Sequence, residues 1–373
     1  MIKCLLIFGT RPEAIKMAPL VKELQKYPSN FEVKVCVTAQ HREMLDQVLA
    51  FFDIKPDYDL NLMRPGQNLY QLTADVIMGL KPILEEYVPQ YVFVHGDTTT
   101  SMSAALAAYY ANIQVCHIEA GLRTYNKYAP FPEEINRQIT GRLTDIHFCP
   151  TEQAKQNLLS EGIVNNVYVT GNSVIDALLY ASNKLIDYSD HEIESLEKVI
   201  IPGKRIILVT GHRRENFGIG FQNICNAILE IANNDDVQII YPVHLNPNVS
   251  EIVNSTLGNN PNISLISPLS YPAFVWLMKK SYLIMTDSGG VQEEAPSLGK
   301  PVLVMRETTE RPEAVVAGTV LLVGTNKELI VEKVNELLTN ADYYGKMQKA
   351  HNPYGDGSTS TTITTTLLSK HMK

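Results

Sequence analysis

The stretch Leu283-Ile-Met-Thr-Asp287-Ser-Gly-Gly-Val-Gln-Glu-Glu-Ala-Pro-Ser-Leu-Gly-Lys300 decides the fold, because an apolar strand runs directly into Ser-Gly-Gly and a helix with paired glutamates. Two glycines at a helix start let a diphosphate approach the unpaired backbone N–H groups at the positive end of the helix dipole. Glu293 and Glu294, one turn further on, can accept hydrogen bonds from ribose hydroxyls. The segment predicts a nucleotide site, with an ordinary turn and solvated glutamates as the open alternative.

Short apolar runs alternate with longer amphipathic stretches on both sides of this segment. Parallel sheets covered by helices on both faces have this pattern. The candidate strands are 2–8, 32–37, 91–95, 114–118, 146–149, 167–170, 205–211, 237–243, 263–266, 283–286, 301–305 and 320–323. We predict an α/β protein with two Rossmann-like domains, 1–171 and 172–357, each holding a parallel sheet of about six strands. Residues 173–186 are predicted to form a helix and residues 187–204 a polar, charged connection, and the stretch 358–373 is expected to form a terminal helix that packs back on the first domain.

The composition of the chain excludes several classes of protein. A net charge of −8 over 373 residues disfavours binding to nucleic acid or to an anionic membrane, which needs a basic surface. No window approaches the roughly 18 apolar residues of a membrane span, and the apolar N-terminal run is too short for a signal peptide. We therefore expect a cytoplasmic protein. Its five scattered cysteines are expected to be buried, reduced thiols.

Polar residues follow several predicted strands, at the edge where open parallel sheets bind their ligands. Asp97 and Glu119 come just after neighbouring strands, and the helix cap supplied by Thr98–Thr100 does not require a second carboxylate there. We therefore favour a functional role for this pair. The segments that follow strands in this way are Gly9-Thr-Arg11-Pro-Glu13-Ala-Ile-Lys16, His95-Gly-Asp97-Thr-Thr-Thr, His117-Ile-Glu119-Ala-Gly-Leu-Arg123 and Gly211-His212-Arg213-Arg214-Glu215-Asn216.

A third carboxylate, Glu133, stands at the start of a predicted helix behind Pro132. Arg137 lies one turn later on the same helix face, so a surface ion pair explains the spacing as well as a functional site does. The basic cluster of His212, Arg213 and Arg214 opens at a strand end and suits a phosphate leaving group. A solvated basic turn is the alternative for that cluster.

Signals for a cofactor or a metal are weak in this sequence. Gly218 and Gly220 match only the first half of the dinucleotide motif G-x-G-x-x-G and begin some residues after the strand, which disfavours NAD. The sequence also lacks a P-loop and clustered histidine and cysteine ligands, which disfavours ATP and zinc. We expect neither a cofactor nor a metal site.

Eight motifs in order resemble the bacterial non-hydrolysing UDP-N-acetylglucosamine 2-epimerases, from residue 9 through about 357. They are Gly9-Thr-Arg-Pro-Glu-Ala-Ile-Lys-Met-Ala-Pro19, His41-Arg-Glu-Met-Leu45, His95-Gly-Asp-Thr98, Glu119-Ala-Gly-Leu-Arg123, Pro132-Glu-Glu-Ile-Asn-Arg137, Gly211-His-Arg-Arg-Glu-Asn216, Asp287-Ser-Gly-Gly290 and Glu310-Arg-Pro-Glu-Ala314. The resemblance implies a fold of the glycosyltransferase-B type with the active site in the interdomain cleft, and a homodimer. It also implies interconversion of UDP-N-acetylglucosamine and UDP-N-acetylmannosamine, as precursors of cell-surface polysaccharide.

The resemblance also assigns roles to individual residues. It makes Asp97, Glu119 and Glu133 the acid/base set, and it places His212 and Arg11 at the departing diphosphate. The implied substrate-binding residues are Ser288, Gly289 and Gly290 at the phosphates, Glu294 at the ribose, Phe274 on the uracil ring, and Lys16, Arg137 and Arg311 around them. Phe274 also fits a buried amphipathic helix. Many bacterial members are activated by a second UDP-N-acetylglucosamine, and Gln40, Glu43 and His244 match part of that region.

The implied reaction is an elimination of UDP across C1–C2 to a 2-acetamidoglucal, followed by re-addition. This route avoids an unstabilised carbanion at C2, which no carbonyl adjoins. Two other activities remain open at this point. A glycosyltransferase of the same fold would need an acceptor surface, and a hydrolysing epimerase would release free N-acetylmannosamine. A nucleotide-sugar sensor would not need the three carboxylates.

Overall fold

The computed structural model describes residues 1–39, 42–64, 66–211, 213–244, 246–309 and 311–371. The chain forms two compact units, one of residues 1–180 with 354–373 and one of residues 181–353. The division thus falls inside the helix that begins at Ser173, later than the predicted boundary after Gly171. The ring of Tyr180 stacks on that of Phe52 at a centroid distance of 5.2 Å, which holds the first part of this helix in the first unit.

The first unit contains a seven-stranded parallel sheet in the order β3-β2-β1-β4-β5-β6-β7. Its elements are β1 (Ile2–Phe8), α1 (Arg11–Gln25), β2 (Phe31–Val37), α2 (Arg42–Phe51), β3 (Tyr58–Asp59), α3 (Leu69–Tyr87), β4 (Tyr91–His95), α4 (Thr99–Tyr110), β5 (Gln114–Ile118), α5 (Glu133–Leu143), β6 (Ile146–Cys149), α6 (Glu152–Ser160), β7 (Val167–Val169) and α7 (Ser173–Lys184). Six of these strands were predicted within one residue at each end. The sequence analysis missed β3, because two residues at a sheet edge are too short to show a periodicity.

The second unit contains a six-stranded parallel sheet in the order β10-β9-β8-β11-β12-β13. Its elements are α8 (His191–Val199), β8 (Arg205–Thr210), α9 (Ile219–Ile231), β9 (Val237–Pro242), α10 (Pro247–Leu257), β10 (Ile263–Ile266), α11 (Tyr271–Lys280), β11 (Leu283–Thr286), α12 (Gly289–Glu294), β12 (Val302–Val304), α13 (Pro312–Val316), β13 (Val320–Leu322), α14 (Lys327–Thr339) and α15 (Ala341–Lys349). The helix α8 lies in a stretch that the sequence analysis took as a polar connection. Asp190 caps it, and only Ile193 and Leu196 are buried, so its apolar stripe is narrow.

The last helix, α16 (Thr359–His371), belongs to the first unit. The backbone N–H groups of Thr359 and Ser360 donate to the carboxylate of Asp176 on α7 over 3.3 and 2.7 Å. This carboxylate satisfies two of the N–H groups that a helix start leaves without a partner in the helix itself.

Both sheets reverse their strand order at one point, between β1 and β4 in the first unit and between β8 and β11 in the second. Ligands of open parallel sheets bind outside the carboxyl ends of the strands at such a switch point. The segments that the sequence analysis singled out after residues 8, 95, 210 and 286 follow these four strands. The topology therefore gives each unit one preferred ligand-binding edge.

Candidate active site

Asp97 and Glu119 lie at the carboxyl ends of two neighbouring strands. His95, the last residue of β4, is paired in register with Ile118, the last residue of β5. Asp97 follows β4 by two residues, and Glu119 follows β5 by one. The structure thus confirms that these two carboxylates belong to adjacent strand ends of a parallel sheet.

Asp97 is held by the helix α5. Nη2 of Arg137 donates to Oδ2 of Asp97 over 2.7 Å, and Nδ2 of Asn136 donates to its backbone carbonyl over 3.0 Å. Burial raises the pKa of the Asp97 carboxyl from 3.8 to about 6, against the opposing effect of the Arg137 cation. The charges of Glu119 and Glu133 raise this pKa further, which brings the three carboxylates into one electrostatic group.

The i,i+4 spacing of Glu133 and Arg137 allows a surface ion pair. Among the contacts of the described residues, Arg137 does not form it. Its guanidinium instead joins Asp97 to Glu134, whose Oε2 lies 3.3 Å from Nη1. Glu134 is fully buried and also accepts the backbone N–H groups of Thr124 and Tyr125 over 3.0 and 3.1 Å. Burial raises the pKa of Glu134, but hydrogen bonds from Thr124 and Gln138 and the charge of Arg137 outweigh this effect and leave the pKa below its ordinary value.

Nitrogen atoms from three parts of the first unit surround Oε2 of Glu119. Lys16 of α1 forms an ion pair with it, Nδ2 of Asn172 donates to it over 3.2 Å, and Nε2 of His95 lies 3.8 Å away. Burial lowers the pKa of His95 to about 4, so this ring is neutral near pH 7. The backbone of Glu119 is left-handed, with φ of 64°, a strained conformation that is most often found at functional sites.

Glu13 fixes the two turns that flank the switch point of the first sheet. Its Oε2 accepts the backbone N–H groups of Gly9 and Thr10 over 3.0 and 2.8 Å, and its Oε1 accepts the hydroxyl of Thr98 over 2.6 Å. Arg11 begins α1 in the turn that Glu13 holds, and its side chain is half-buried. The sequence analysis gave Glu13 no role of its own. Its place three residues after Thr10 is the sequence signal of a capping box.

The Ser-Gly-Gly turn forms the predicted helix start in the second unit. Ser288 is the N-cap of α12, and Gly289 and Gly290 are its first two residues. Glu294 lies in the same short helix and is almost fully buried. Beside this helix, Nε of Arg311 donates to Oε1 of Glu293 over 2.8 Å, so Glu293, proposed from the sequence as a ribose acceptor, holds the arginine.

The loop after β8 is tied to the end of β11. Oδ2 of Asp287, a buried residue, accepts the backbone N–H of Arg213 over 2.8 Å. His212, predicted as the residue at the leaving group, lies outside the described residues. Phe274 is on α11 and is partly buried, while its neighbours in the helix are fully buried. This environment agrees with the alternative interpretation of the segment as a buried amphipathic helix.

The three residues matched to an allosteric region are only partly described. Gln40 lies outside the described residues, and the side chain of Glu43 is exposed at the start of α2. His244 is exposed, and its Nδ1 accepts the backbone N–H of Asn246 over 3.1 Å.

The described parts of the chain offer neither a metal-binding cluster nor a membrane span. They contain no group of three or more histidine, cysteine, aspartate or glutamate side chains arranged to hold a metal ion. No helix among the same residues is long and apolar enough to cross a membrane. All five cysteines are buried, as the sequence analysis predicted.

Two parallel α/β sheets with polar residues at their switch points define a protein with two Rossmann-like domains of the glycosyltransferase-B type. A family model described as UDP-N-acetylglucosamine 2-epimerase matches residues 22–368. The chain is 59% identical to the UDP-N-acetylglucosamine 2-epimerase of Escherichia coli K12 over 365 residues, 97% of each chain. It therefore belongs to the UDP-N-acetylglucosamine 2-epimerase family.

Solved structures agree with this membership. The UDP-GlcNAc 2-epimerase of Neisseria meningitidis, bound to UDP-GlcNAc, superposes with a TM-score of 0.89 at 53% identity, covering 99% of this chain and 100% of that one. The enzyme of Methanocaldococcus jannaschii, in complex with UDP-GlcNAc and UDP, superposes with a TM-score of 0.79 at 33% identity, again covering 99% of this chain and 100% of that one.

Proposed function

We propose that this chain interconverts UDP-N-acetylglucosamine and UDP-N-acetylmannosamine by inverting C2 of the sugar, without net hydrolysis. The observation that carries the proposal is a group of three carboxylates: Asp97 and Glu119 follow adjacent strand ends, and Glu133 begins the helix whose Arg137 binds Asp97. An inversion needs a base on one face of C2 and an acid on the other. Such a group is more than substrate binding requires.

The proposed reaction has two steps. A carboxylate takes the C2 proton while the C1–O bond breaks, so that its electron pair leaves on UDP and a 2-acetamidoglucal remains. UDP then adds back to C1 while a proton is delivered to the opposite face of C2. Atoms and charge balance, and no redox change occurs in either step, so we propose that no cofactor takes part.

The environment of Asp97 supports its role in proton transfer. A carboxyl with a pKa of about 6 exists in both protonation states near neutral pH, as a group that both takes and returns a proton must. Glu119, paired with Lys16, is proposed as its partner, with Glu133 completing the set.

The remaining family-matched residues are proposed to bind the nucleotide. We propose that the backbone N–H groups of Ser288, Gly289 and Gly290 hold phosphate oxygens, that Glu294 binds the ribose and that Phe274 stacks on the base. Arg11 and His212 are proposed to stabilise the departing diphosphate, and Arg311 to line the nucleotide site. Arg137 is proposed to act through Asp97.

We also propose that the chain works as a homodimer. Apolar side chains are exposed along three adjacent helices of the first unit, α3, α4 and α5, which pack side by side. They are Tyr70, Met78, Tyr109, Tyr110, Ile135 and Ile139. Several exposed apolar side chains on neighbouring helices are typical of a surface that is covered in an assembled protein. The product would serve as a precursor of cell-surface polysaccharide.

One experiment separates the proposal from its alternatives. The purified protein is incubated in heavy water with UDP-N-acetylglucosamine alone, and the products are followed by NMR. We expect UDP-N-acetylmannosamine that carries deuterium at C2. Free N-acetylmannosamine with one equivalent of UDP would instead indicate a hydrolysing epimerase, and turnover only after addition of an acceptor would indicate a glycosyltransferase.

A further inference from the structure

Asn172 connects the carboxylate of Glu119 with two other parts of the first unit. Its Nδ2 donates to Oε2 of Glu119 over 3.2 Å, and its Oδ1 accepts the backbone N–H of Val174 over 3.1 Å. Its own backbone N–H donates to the carbonyl of Tyr354 over 2.8 Å. Asn172 is almost fully buried, so each of these bonds forms away from bulk water, where a lost partner is costly.

The bond to Val174 is a helix cap. Asn172 precedes the first residue of α7, and its side-chain oxygen accepts the N–H of the second helical residue. This bond needs only an acceptor, which aspartate or serine also provides. The bond to Glu119 needs a donor at the other atom of the same side chain. The amide of asparagine supplies both, and the donor is not required by the cap.

We propose that Asn172 is a positioning residue that holds Glu119 in its catalytic orientation. The inference rests on the proposed function, because it concerns the proton transfer assigned to Glu119. The backbone of Glu119, with φ of 64°, is strained, and such a conformation persists only where surrounding contacts determine it. Lys16 supplies one of these contacts from α1, and Asn172 supplies a second from the segment before α7.

Lys16 and Asn172 affect Glu119 in different ways. The lysine contributes charge through a long, flexible side chain, while the amide has a fixed direction set by its own cap. Among the described residues, the polar and charged groups that face Glu119 include Lys16 from α1, His95 and Asp97 from the end of β4, and Asn172. Replacing the donor of Asn172 by a carboxylate oxygen therefore changes the charge beside Glu119 and leaves the other three groups in place.

The test compares Asn172→Asp with Asn172→Ser. Both variants retain an oxygen for the helix cap. The aspartate places a second carboxylate where the donor was, and the serine removes the donor without adding charge. The carboxyl signals of protein labelled with carbon-13 glutamate are titrated by NMR, and the Glu119 signal is assigned by its loss in Glu119→Gln. The kcat and KM for UDP-N-acetylglucosamine are measured in parallel with the NMR titration.

In Asn172→Asp we expect the apparent titration midpoint of Glu119 to rise by roughly 1 unit or more, because two carboxylates that share a site resist ionising together. We expect kcat to fall at least about tenfold with KM little changed, and a smaller fall in Asn172→Ser. Both variants should remain folded, with a lowered thermal transition, because the buried site loses one hydrogen bond.

The NMR titration does not depend on activity, so the two proposals fail separately. A shifted Glu119 midpoint in a protein that does not epimerise the substrate would overturn the proposed function. The positioning of Glu119 by Asn172 would then have no role in that reaction. An unshifted midpoint, or an unchanged kcat in Asn172→Asp of an active enzyme, would overturn the positioning role alone.

Discussion

Arg137 on α5 donates from Nη2 to Oδ2 of Asp97 over 2.7 Å, across 40 positions of sequence. This bond links the carboxyl end of β4 to a helix that begins with Glu133. It also opposes the effect of burial, which raises the pKa of Asp97 to about 6. The pKa of Asp97 is therefore a balance in which burial and the Arg137 cation have the largest effects, and the effect of Arg137 can be tested by substitution.

Replacing each proposed acid/base carboxylate by its amide should lower kcat. For Asp97→Asn, Glu119→Gln and Glu133→Gln we expect a decrease of roughly 10²–10⁴-fold, the range for a lost general acid or base. UDP binding, measured by calorimetry, should change much less. Glu85→Gln, an exposed position on α3, is the control. Wild-type kcat in Glu133→Gln would exclude Glu133 from the set.

Removing the guanidinium beside Asp97 should move the acidic limb of the pH profile. Arg137 favours the ionised carboxylate, so Arg137→Gln raises the pKa of Asp97 above about 6. The acidic limb of kcat/KM should then shift to higher pH by roughly 1 unit. Arg142→Gln, at an exposed position of the same helix, should leave the limb in place. An unshifted limb in Arg137→Gln would mean that another group produces it.

The protein should lose stability as the pH falls from 6.5 to 5. Burial lowers the pKa of His95 to about 4, of His117 to about 3 and of His147 to about 4, so in this window the unfolded chain binds more protons than the folded one. Protonation therefore favours unfolding, by at most about 1.4 kcal/mol per pH unit for each group. Asp97 has the opposite sign, because its pKa is raised on folding.

Urea unfolding at several pH values tests this balance. His147→Gln should flatten the fall in the free energy of unfolding, since one histidine no longer titrates. Asp97→Asn should steepen it, because the opposing group is lost. Identical slopes in all three proteins would contradict the assignment of the acid sensitivity to these buried groups.

The intermediate of the proposed reaction should escape occasionally. Between the two steps UDP and the 2-acetamidoglucal are held without a covalent bond, so long incubations should release small amounts of both. Chromatography and NMR detect the pair, and release of neither over many turnovers would count against free elimination.

Two further expectations follow from the proposed reaction. Treatment with a chelator and removal of NAD should not affect turnover. His212→Asn should lower kcat by weakening stabilisation of the departing diphosphate.

The proposed dimer surface can be tested by placing charge on it. We expect light scattering to give twice the chain mass of 41.7 kDa for the unmodified protein. Tyr110→Asp should shift this value toward the monomer, because an ionised carboxylate in an apolar interface is costly. Val316→Asp, at an exposed apolar position of the second unit, should not. A monomeric unmodified protein would remove the dimer from the proposal.

Much of the architecture could be predicted from the sequence, because parallel strands that are buried on both faces appear in it as continuous apolar runs. All twelve predicted strands lie within a residue or so of their observed bounds. The two-residue β3 and the helix α8 were missed, since the first has no periodicity and the second has a narrow apolar stripe. The sequence likewise placed Asp97 and Glu119 at neighbouring strand ends, because the end of a strand is a local feature of the chain.

The partners of these carboxylates were decided by the tertiary structure alone. The i,i+4 spacing of Glu133 and Arg137 is a local signal, yet the arginine pairs with Asp97 and Glu134. Nothing near Asn172 in the sequence indicates that its amide meets Glu119, 53 positions earlier. Periodicity reports which face of an element is buried, whereas side-chain partners and shifted pKa values depend on which elements the fold places side by side.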